Sequence, residues 1–498
     1  MQTVILSDMH LADAEGVDTK RPLWKAFKRR EHFFDDDVAR LLRWLVAETE
    51  KEGVPEPLEL ILNGDIFDFD SVCRLPDPPP SPIHWLQRLR GLGAEEWMSL
   101  FKLEQIIQDH PNWFAALAEF VERGHKVVFI IGNHDLEVHW PGVQARIRRA
   151  VGLHDENDPR VVFCEWFYLS GGDTFVSHGH QYDPYCVTPD PIYPLISVAG
   201  RPRVRIPFGD IANRYMVNGM GYFNPHATAN YIMSGPQYLA FFFRYMVRTQ
   251  PLLLWTWAWG AAVTLVITFL EFLRPAMRDP LTVEEKVSNI ADRANATPGM
   301  VRQLAAVDVA SACTNPLMII QELWLDRGVL FLVMLYAAFE SILLIKWVLP
   351  ISIWWTLVPL SLLFPLFLAY SFRVKPQTFS EPLLTPERAG LIARITGMRM
   401  AIFGHTHIPE VSHIGPLKYC NAGFWSPAFA TPDCRKRLGA QTFAHVRTHG
   451  QNQGDEPGQR DVELLEWPVG ADKPRDFRPP SGILRSAPIG SSHVTAQH

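Results

Sequence analysis

Three long apolar runs lie close together in the chain and separate two more polar parts. They cover residues 252–273, 329–349 and 351–372. As a helix, the first run would be about 33 Å long, which is enough to span the hydrocarbon core of a bilayer. Trp255, Trp347 and Trp354 lie in these runs, as is typical of side chains at a membrane interface. The sequence therefore predicts a membrane-embedded helical insertion, with buried core helices of a soluble protein as the alternative.

Short apolar runs in the two polar parts each end in polar side chains. Thr3–Leu6 and Met400–Phe403 are examples. Such runs indicate buried strands, and the helical patterns between them predict an α/β fold. Ligand groups gather beyond the carboxyl ends of strands in sheets of this kind. The five polar strand ends are Asp8-Met9-His10, Gly64-Asp65, Gly132-Asn133-His134-Asp135, His178-Gly179-His180 and Gly404-His405-Thr406-His407.

The residue types in these segments indicate a metal site. Imidazole and carboxylate ligands together suit Mn²⁺, Fe²⁺, Zn²⁺ or Co²⁺, whereas Mg²⁺ and Ca²⁺ prefer oxygen ligands almost alone. Two ions about 3.5–4 Å apart need a bridging ligand, and a carboxylate can act as one. A structural zinc site would favour cysteine, which is absent from these segments.

In this order, the five segments resemble the calcineurin-like metallophosphoesterase superfamily. The resemblance covers residues 1–243 and 376–468. It implies an αββα fold, a β-sandwich flanked by helices, which is interrupted here by the helical, membrane-embedded insertion. It also implies a metal-dependent phosphoric ester hydrolase with two divalent metal ions, Mn²⁺ first among the candidates and Fe²⁺, Zn²⁺ or Co²⁺ as alternatives.

The resemblance also implies a ligand set of aspartates, histidines and one asparagine. The set is Asp8, His10 and His407 for the first ion, Asp65 as the bridge, and Asn133, His178 and His405 for the second ion. A hydroxide bridging the ions would then attack phosphorus in line.

Other residues of the same segments would act around the metals. His134 would contact the phosphate and donate a proton to the leaving oxygen, and Asp135 would orient His134. His180 could contact the phosphate or cap its turn. Asp68 and Asp70 could support the site or lie in a solvated loop.

The positions of the implied ligands restrict the membrane topology. Asp8, Asp65 and His178 precede the apolar runs, whereas His405 and His407 follow them. Because these residues must meet, the number of crossings between them is even. Two topologies remain open. Either 329–372 crosses as a hairpin and 252–273 is embedded, or 252–273 crosses with one return from 329–372, and 275–328 faces the far side.

Composition restricts the location and the partners. The net charge is −6, so nucleic acid is not an expected partner. No C-x-x-C pair and no export signal are visible in the sequence, and we expect a catalytic part in the cytoplasm, attached to the inner or plasma membrane. The expected partners are membrane lipid and a phosphorylated small molecule or lipid.

The predicted organisation has four parts. They are a first phosphoesterase part at 1–243, an apolar insertion at 244–375, a second phosphoesterase part at 376–468 and a disordered tail at 469–498. The predicted function is hydrolysis of a phosphate ester or pyrophosphate bond at the membrane. The alternatives are a tethered phosphodiesterase or nucleotidase for a soluble substrate, and a non-catalytic membrane sensor.

Overall fold

The computed structural model describes most of the chain. The described residues are 2–51, 57–224, 239–348, 352–374, 383–448 and 459–479. Their strands are β1 (Thr3–Leu6), β2 (Glu59–Asn63), β3 (Lys126–Ile130), β4 (Val161–Cys164), β5 (Phe167–Ser170), β6 (Thr174–Ser177), β7 (Leu195–Val198), β8 (Arg201–Val204), β9 (Met400–Phe403), β10 (Glu410–Ile414), β11 (Leu417–Asn421), β12 (Thr442–Thr448), β13 (Arg460–Glu466) and β14 (Arg475–Asp476).

Two sheets combine strands from before and after the apolar runs. The larger sheet has the order β14-β13-β12-β1-β2-β3-β4, and the smaller has the order β10-β11-β9-β6-β5. β1 pairs in parallel with β2 and antiparallel with β12. β9 lies between β6 and β11, parallel to both. The two polar parts of the chain therefore build the same pair of sheets.

The sheets face each other across an apolar core. Alternate strand residues from both sheets meet there, for example Ile5 and Val128 from one sheet and Val176 and Ile402 from the other. Residues of these strands are almost continuously apolar because both faces of each sheet are covered.

The helices of the polar parts and of the intervening segment are amphipathic, apart from the apolar ones described below. They are α1 (Asp35–Lys51), α2 (Trp85–Arg90), α3 (Glu96–Asp109), α4 (Pro111–Glu122), α5 (Pro141–Ala150) and α6 (Phe208–Tyr215), followed by α7 (Leu253–Phe272), α8 (Val283–Arg293), α9 (Pro298–Ala305), α10 (Pro316–Glu322), α11 (Leu325–Trp347), α12 (Leu357–Arg373) and α13 (Pro386–Thr396). The apolar faces of α1, α3, α4 and α5 cover the larger sheet. Those of α8, α9 and α13 cover the smaller sheet. The predicted αββα arrangement is confirmed.

The three apolar runs form helices of unequal length. α7 and α11 are long and apolar enough to cross a membrane. α11 begins at Leu325, four residues before the predicted run. The third run forms a helical turn at Ile353–Thr356 and then α12, which contains Pro365. Without the turn before it, α12 has 17 residues and is shorter than a full span.

Part of the predicted insertion belongs structurally with the sheets, since α8 and α9 pack on the smaller one.

The predicted disordered tail began at 469, but the described chain continues to 479 and includes β14, which pairs with β13. Residues 480–498 lie outside the described part.

Candidate metal centre

The predicted ligands follow the ends of five strands and converge at one edge of the two sheets. Asp8 and His10 follow β1, Asp65 follows β2, and Asn133 follows β3. His178 follows β6 in the smaller sheet, and the pair His405 and His407 follows β9.

Several ligand candidates have a left-handed backbone that side chains rarely adopt. Among the ligand candidates, those with φ between 50° and 67° are Asp8, His10, Asp65, His405 and His407. Conformations of this kind cost about 1–3 kcal/mol each and persist where the surrounding structure enforces them, often at functional sites. The turns after β1, β2 and β9 therefore direct these side chains toward one point at a cost in local backbone stability.

Two groups of ligand atoms lie next to each other. In the first group, the Nε2 atom of His407 is 3.1 Å from Oδ1 of Asp8 and 3.3 Å from Nε2 of His10. In the second group, Nε2 of His178 is 3.2 Å from Oδ2 of Asp65, and His405 completes the set. Oδ2 of Asp65 is also 3.8 Å from Nε2 of His10. Asp65 thus lies between the two groups, where a bridging ligand would have to be.

In both Asp8 and Asp65, one carboxylate oxygen accepts hydrogen bonds from the protein and the other faces the candidate site. Oδ2 of Asp8 accepts hydrogen bonds from Ser7 Oγ at 2.6 Å and from the His405 amide at 3.0 Å. Oδ1 of Asp65 accepts one from the His134 amide at 2.9 Å. The other oxygen of each residue faces the imidazoles.

Hydrogen bonds to the protein also orient the ligand candidates of the second group. The Nδ1 atom of His178 is 2.9 Å from the Asn63 carbonyl oxygen, so Nδ1 donates and the Nε2 lone pair is left to face Asp65. Nε2 of His405 is 2.9 Å from Oδ2 of Asp183, which leaves Nδ1 for the site. Nδ2 of Asn133 donates to Oδ1 of Asp210 at 3.0 Å, and Oδ1 of Asn133 is buried without a hydrogen-bond partner among the described residues.

The electrostatics of the site favour a positive charge. Asp8, Asp65 and His178 are almost completely buried. Burial alone would lower the pKa of His178, but Asp65 and Asp8 raise it to about 9. A buried pocket that holds carboxylates and unpartnered lone pairs is stabilised by cations. The donor set therefore fits two divalent ions, which the seven predicted residues would hold.

His134 lies at the edge of this pocket. Its ring centroid is 4.9 Å from that of His10, and its side chain is 17% exposed, against 0% for His178. It can therefore reach a bound substrate. Its Nδ1 atom faces three buried carboxylates, at 3.4 Å from Asp210, 3.5 Å from Asp68 and 3.9 Å from Asp70.

These carboxylates control the charge of His134. Burial alone would lower the pKa of His134, but Asp210, Asp65 and Asp68 raise it well above its ordinary value. A protonated ring is what a proton donor to a leaving group requires. Asp68 and Asp70, for which the sequence left a solvated loop open, are buried beside the ring.

The structure gives Asp135 a different position from the predicted one. Its Oδ1 accepts a hydrogen bond from the Gly132 amide at 2.6 Å and its Oδ2 accepts one from the Ile66 amide at 2.8 Å. Asp135 therefore joins the turns after β2 and β3, and the carboxylates beside His134 Nδ1 come from elsewhere. Its burial near Asp65 raises the pKa of Asp135 to about 7.

His180 lies behind the ligands. It is 1% exposed, and its ring centroid is 5.5 Å from that of His178. Burial, together with the charges of His178 and His405, lowers the pKa of His180 well below its ordinary value. Its predicted contact with the phosphate stays a prediction.

Sequence reasoning missed Asp183, Asp210 and the ion pairs behind them. Arg214 forms an ion pair with Asp70 and lies 3.5 Å from Glu137, which is 2.7 Å from Lys102. One signal was available for α6, where Asp210 and Arg214 are four residues apart in an otherwise amphipathic helix. A buried pair of opposite charges at this spacing is unusual outside a polar network.

Comparison with known proteins gives the class of the site. Residues 1–224 match the family model of the calcineurin-like phosphoesterases. This part of the chain belongs to that family, whose members are metal-dependent phosphoesterases. No curated protein matches the chain. The predicted superfamily and enzyme class are confirmed.

Proposed function

We propose that the protein is a membrane-associated phosphoesterase that uses two divalent metal ions, Mn²⁺ in first place, to hydrolyse a phosphate ester or pyrophosphate bond. The observation that carries the proposal is the position of Asp65 between two ligand groups, with Nε2 atoms of His178 and His10 at 3.2 and 3.8 Å from its Oδ2. Membrane association is supported by the length and apolar character of α7 and α11.

Each residue of the site has a proposed role. Asp8, His10 and His407 hold the first ion, Asn133, His178 and His405 hold the second, and Asp65 binds both. Two ions in this arrangement supply an activated water and neutralise the phosphoryl oxygens. His134 gives a proton to the oxygen that leaves when its bond to phosphorus breaks. Because Asp68 and Asp210 lie at the Nδ1 side of the ring, they would favour its protonated form.

A recess beside the site has both apolar and charged walls. It lies next to His10 and Asp68, and its walls include Phe27, Phe34 and Pro427. Asp13, Lys28 and His110 also line the recess, so it offers charged as well as apolar contacts. The preference for a lipid substrate is therefore supported by the membrane association proposed above and not by this recess.

The test is hydrolysis by the detergent-purified protein with Mn²⁺. An aryl phosphomonoester, an aryl phosphodiester and a lipid pyrophosphate are offered side by side. Asp65→Ala should abolish turnover of the preferred substrate, whereas Asp472→Ala, at an exposed aspartate, should leave it unchanged.

The outcomes separate the alternatives. Preference for the lipid substrate supports the proposal, and preference for a soluble diester supports a tethered phosphodiesterase. Metal binding by wild type without turnover on any of the three substrates would contradict catalysis on these classes and favour the sensor.

A further inference from the structure

α7 has the length of a membrane span, but the chain on both sides of it contacts the same domain. Before α7, the Gln250 side-chain amide donates to the Gly219 carbonyl oxygen at 2.9 Å. Directly after α7, the Met277 amide donates to the Leu195 carbonyl oxygen at 2.8 Å. Both contacts involve residues of the catalytic part that precede the apolar runs.

The chain after α7 continues onto the smaller sheet. The Leu169 amide in β5 donates to the Ala294 carbonyl oxygen at 3.0 Å, and Nδ2 of Asn295 donates to the Leu169 carbonyl oxygen at 3.0 Å. Arg293 forms an ion pair with Glu165 at 2.5 Å. The segment 275–328 is therefore on the same side as the metal ligands, and this conflicts with the topology in which it faces the far side of the membrane.

α7 itself lies lengthwise against the catalytic domain. At its middle, a side chain at Gly260 would approach Met216 Cα and the Tyr215 carbonyl oxygen at 3.2 Å. Trp259 packs against Trp85, with ring centroids 6.1 Å apart. Glu271, near its end, pairs with Arg203. These contacts extend over about 18 Å of helix.

The opposite face of α7 is apolar and exposed. It presents Leu254, Trp255, Val266 and Leu270, which are 49–79% exposed. If α7 crossed a bilayer, the polar domain attached along its length would have to enter the hydrocarbon, which is prohibitive for its charged groups.

α11 and α12 form a different structure, an antiparallel hairpin. At its base, the Tyr370 hydroxyl donates to Oδ2 of Asp326 at 2.8 Å, and further along Phe331 packs on Phe367 with centroids 6.1 Å apart. At its tip, Trp347, Trp354 and Trp355 are 58–75% exposed. α11 is about 34 Å long, and α12 with the turn before it about 31 Å, each matching a hydrocarbon core of about 30 Å.

We propose that α11 and α12 cross the bilayer as a hairpin, and that α7 lies in the near interface with its outer face in lipid. The number of crossings is then two, which satisfies the requirement that His405 and His407 rejoin the earlier ligands. The tryptophans at the tip lie at the far interface, where such side chains are enriched. The inference rests on the membrane association in the proposed function and not on its substrate.

The test uses three variants of the full-length protein, each with one added cysteine. Each variant is inserted into two separate preparations of sealed vesicles, one with the catalytic domain outside and one with it inside. R248C and L281C flank α7, and S352C lies at the hairpin tip; all three positions are exposed. A membrane-impermeant maleimide should label R248C and L281C from the side of the catalytic domain, and S352C from the other side. The unmodified protein measures the background from the native Cys73, Cys186 and Cys434, which are partly exposed.

Each other pattern overturns the inference. Labelling of R248C and L281C from opposite sides means that α7 crosses. Labelling of all three from one side means that the hairpin does not cross, as would happen if a second copy of the chain covered it. Retained Mn²⁺ binding shows that each variant is folded. Because labelling does not require turnover, an inactive protein still reports its topology, and failure of the proposed activity is distinguishable from failure of this inference.

Discussion

The Asn133 amide and the Asp210 carboxylate form a buried hydrogen bond, with Nδ2 of Asn133 donating to Oδ1 of Asp210 at 3.0 Å. The bond determines which end of the amide faces the candidate metal centre, because Oδ1 of Asn133 then has no hydrogen-bond partner in the described part of the chain. The same Asp210 oxygen lies 3.4 Å from Nδ1 of His134. One residue of α6 thus contacts a proposed metal ligand and the proposed proton donor.

We predict that Asp210→Ala weakens Mn²⁺ binding and hydrolysis by about 10–100-fold, the usual effect of losing a group that orients a metal ligand. Titration calorimetry measures the metal affinity independently of turnover. Asn213→Ala on the same helix is the control, because both polar atoms of the buried Asn213 side chain have no hydrogen-bond partner among the described residues. Unchanged Mn²⁺ affinity in Asp210→Ala would show that Asn133 needs no such support.

A pair of glycine substitutions tests the close packing at the turn after β9. A Cβ atom at Gly404 would collide with Ser7 Oγ and Asp8 Oδ2, whereas one at Gly390, in α13, meets nothing within 4 Å. Gly404→Ala should therefore displace Asp8 and abolish metal-dependent hydrolysis. Gly390→Ala should keep activity and raise the free energy of unfolding by about 0.5–1 kcal/mol, since alanine favours a helix. Equal activity of the two variants would contradict the geometry.

Through the contact between α7 and α6, we expect the packing of the apolar helix to affect hydrolysis at the active site. Gly260→Leu forces apart α7 and the chain at Tyr215 and Met216, and overpacking of this kind costs about 1–3 kcal/mol. Because α6 carries Asp210 and Arg214, we expect hydrolysis to fall together with the unfolding temperature. Ala262→Leu is the matched control, since Ala262 is exposed on α7; it should change neither quantity. A Gly260→Leu protein with full activity would refute the coupling.

Asp308 should make stability depend on pH. Both of its carboxylate oxygens are buried without a hydrogen-bond partner among the described residues, and burial raises its pKa well above the ordinary 3.8. Above pH 3.8 the unfolded chain releases this proton first, so stability falls as pH rises toward the folded-state pKa. Asp308→Asn removes the effect.

The free energy of unfolding of Asp308→Asn should therefore exceed that of wild type by an amount that grows by up to about 1.4 kcal/mol per pH unit. Denaturant unfolding at pH 5 and pH 8 measures the difference. Asp472→Asn, at an exposed position, should show no such trend, and a pH-independent difference for Asp308→Asn would disprove the assignment.

The convergence of the proposed ligand residues could be predicted from the sequence because each one follows a short apolar strand. Once Asp8, Asp65 and His405 are placed at strand ends, sheet geometry brings them together. Asp183 and Asp210 could not be found in this way. They lie after a short helical turn and in a helix, and only the tertiary fold brings them to His405 and Asn133.

In two places the sequence pattern alone does not specify the surroundings of a residue or a helix. Asp135 is adjacent to His134 in sequence, but its carboxylate bonds to the backbone at Gly132 and Ile66. α7 resembles a membrane span by its hydropathy. Hydropathy does not show, however, that the face of α7 with Gly260 and Glu271 packs against a protein surface. In both cases the local pattern is correct and the partner is determined by distant parts of the chain.

The position of β1 in the larger sheet has a consequence for synthesis. β1 pairs with β2 on one side and with β12 on the other, and β12 begins only at Thr442, after the whole apolar hairpin. While the nascent chain is being made, one edge of β1 therefore stays open until the hairpin has left the ribosome. Open strand edges invite aggregation and long-range pairing is slow. The apolar hairpin is accordingly synthesised before the larger sheet can close and before His405 and His407 can join the other proposed ligands.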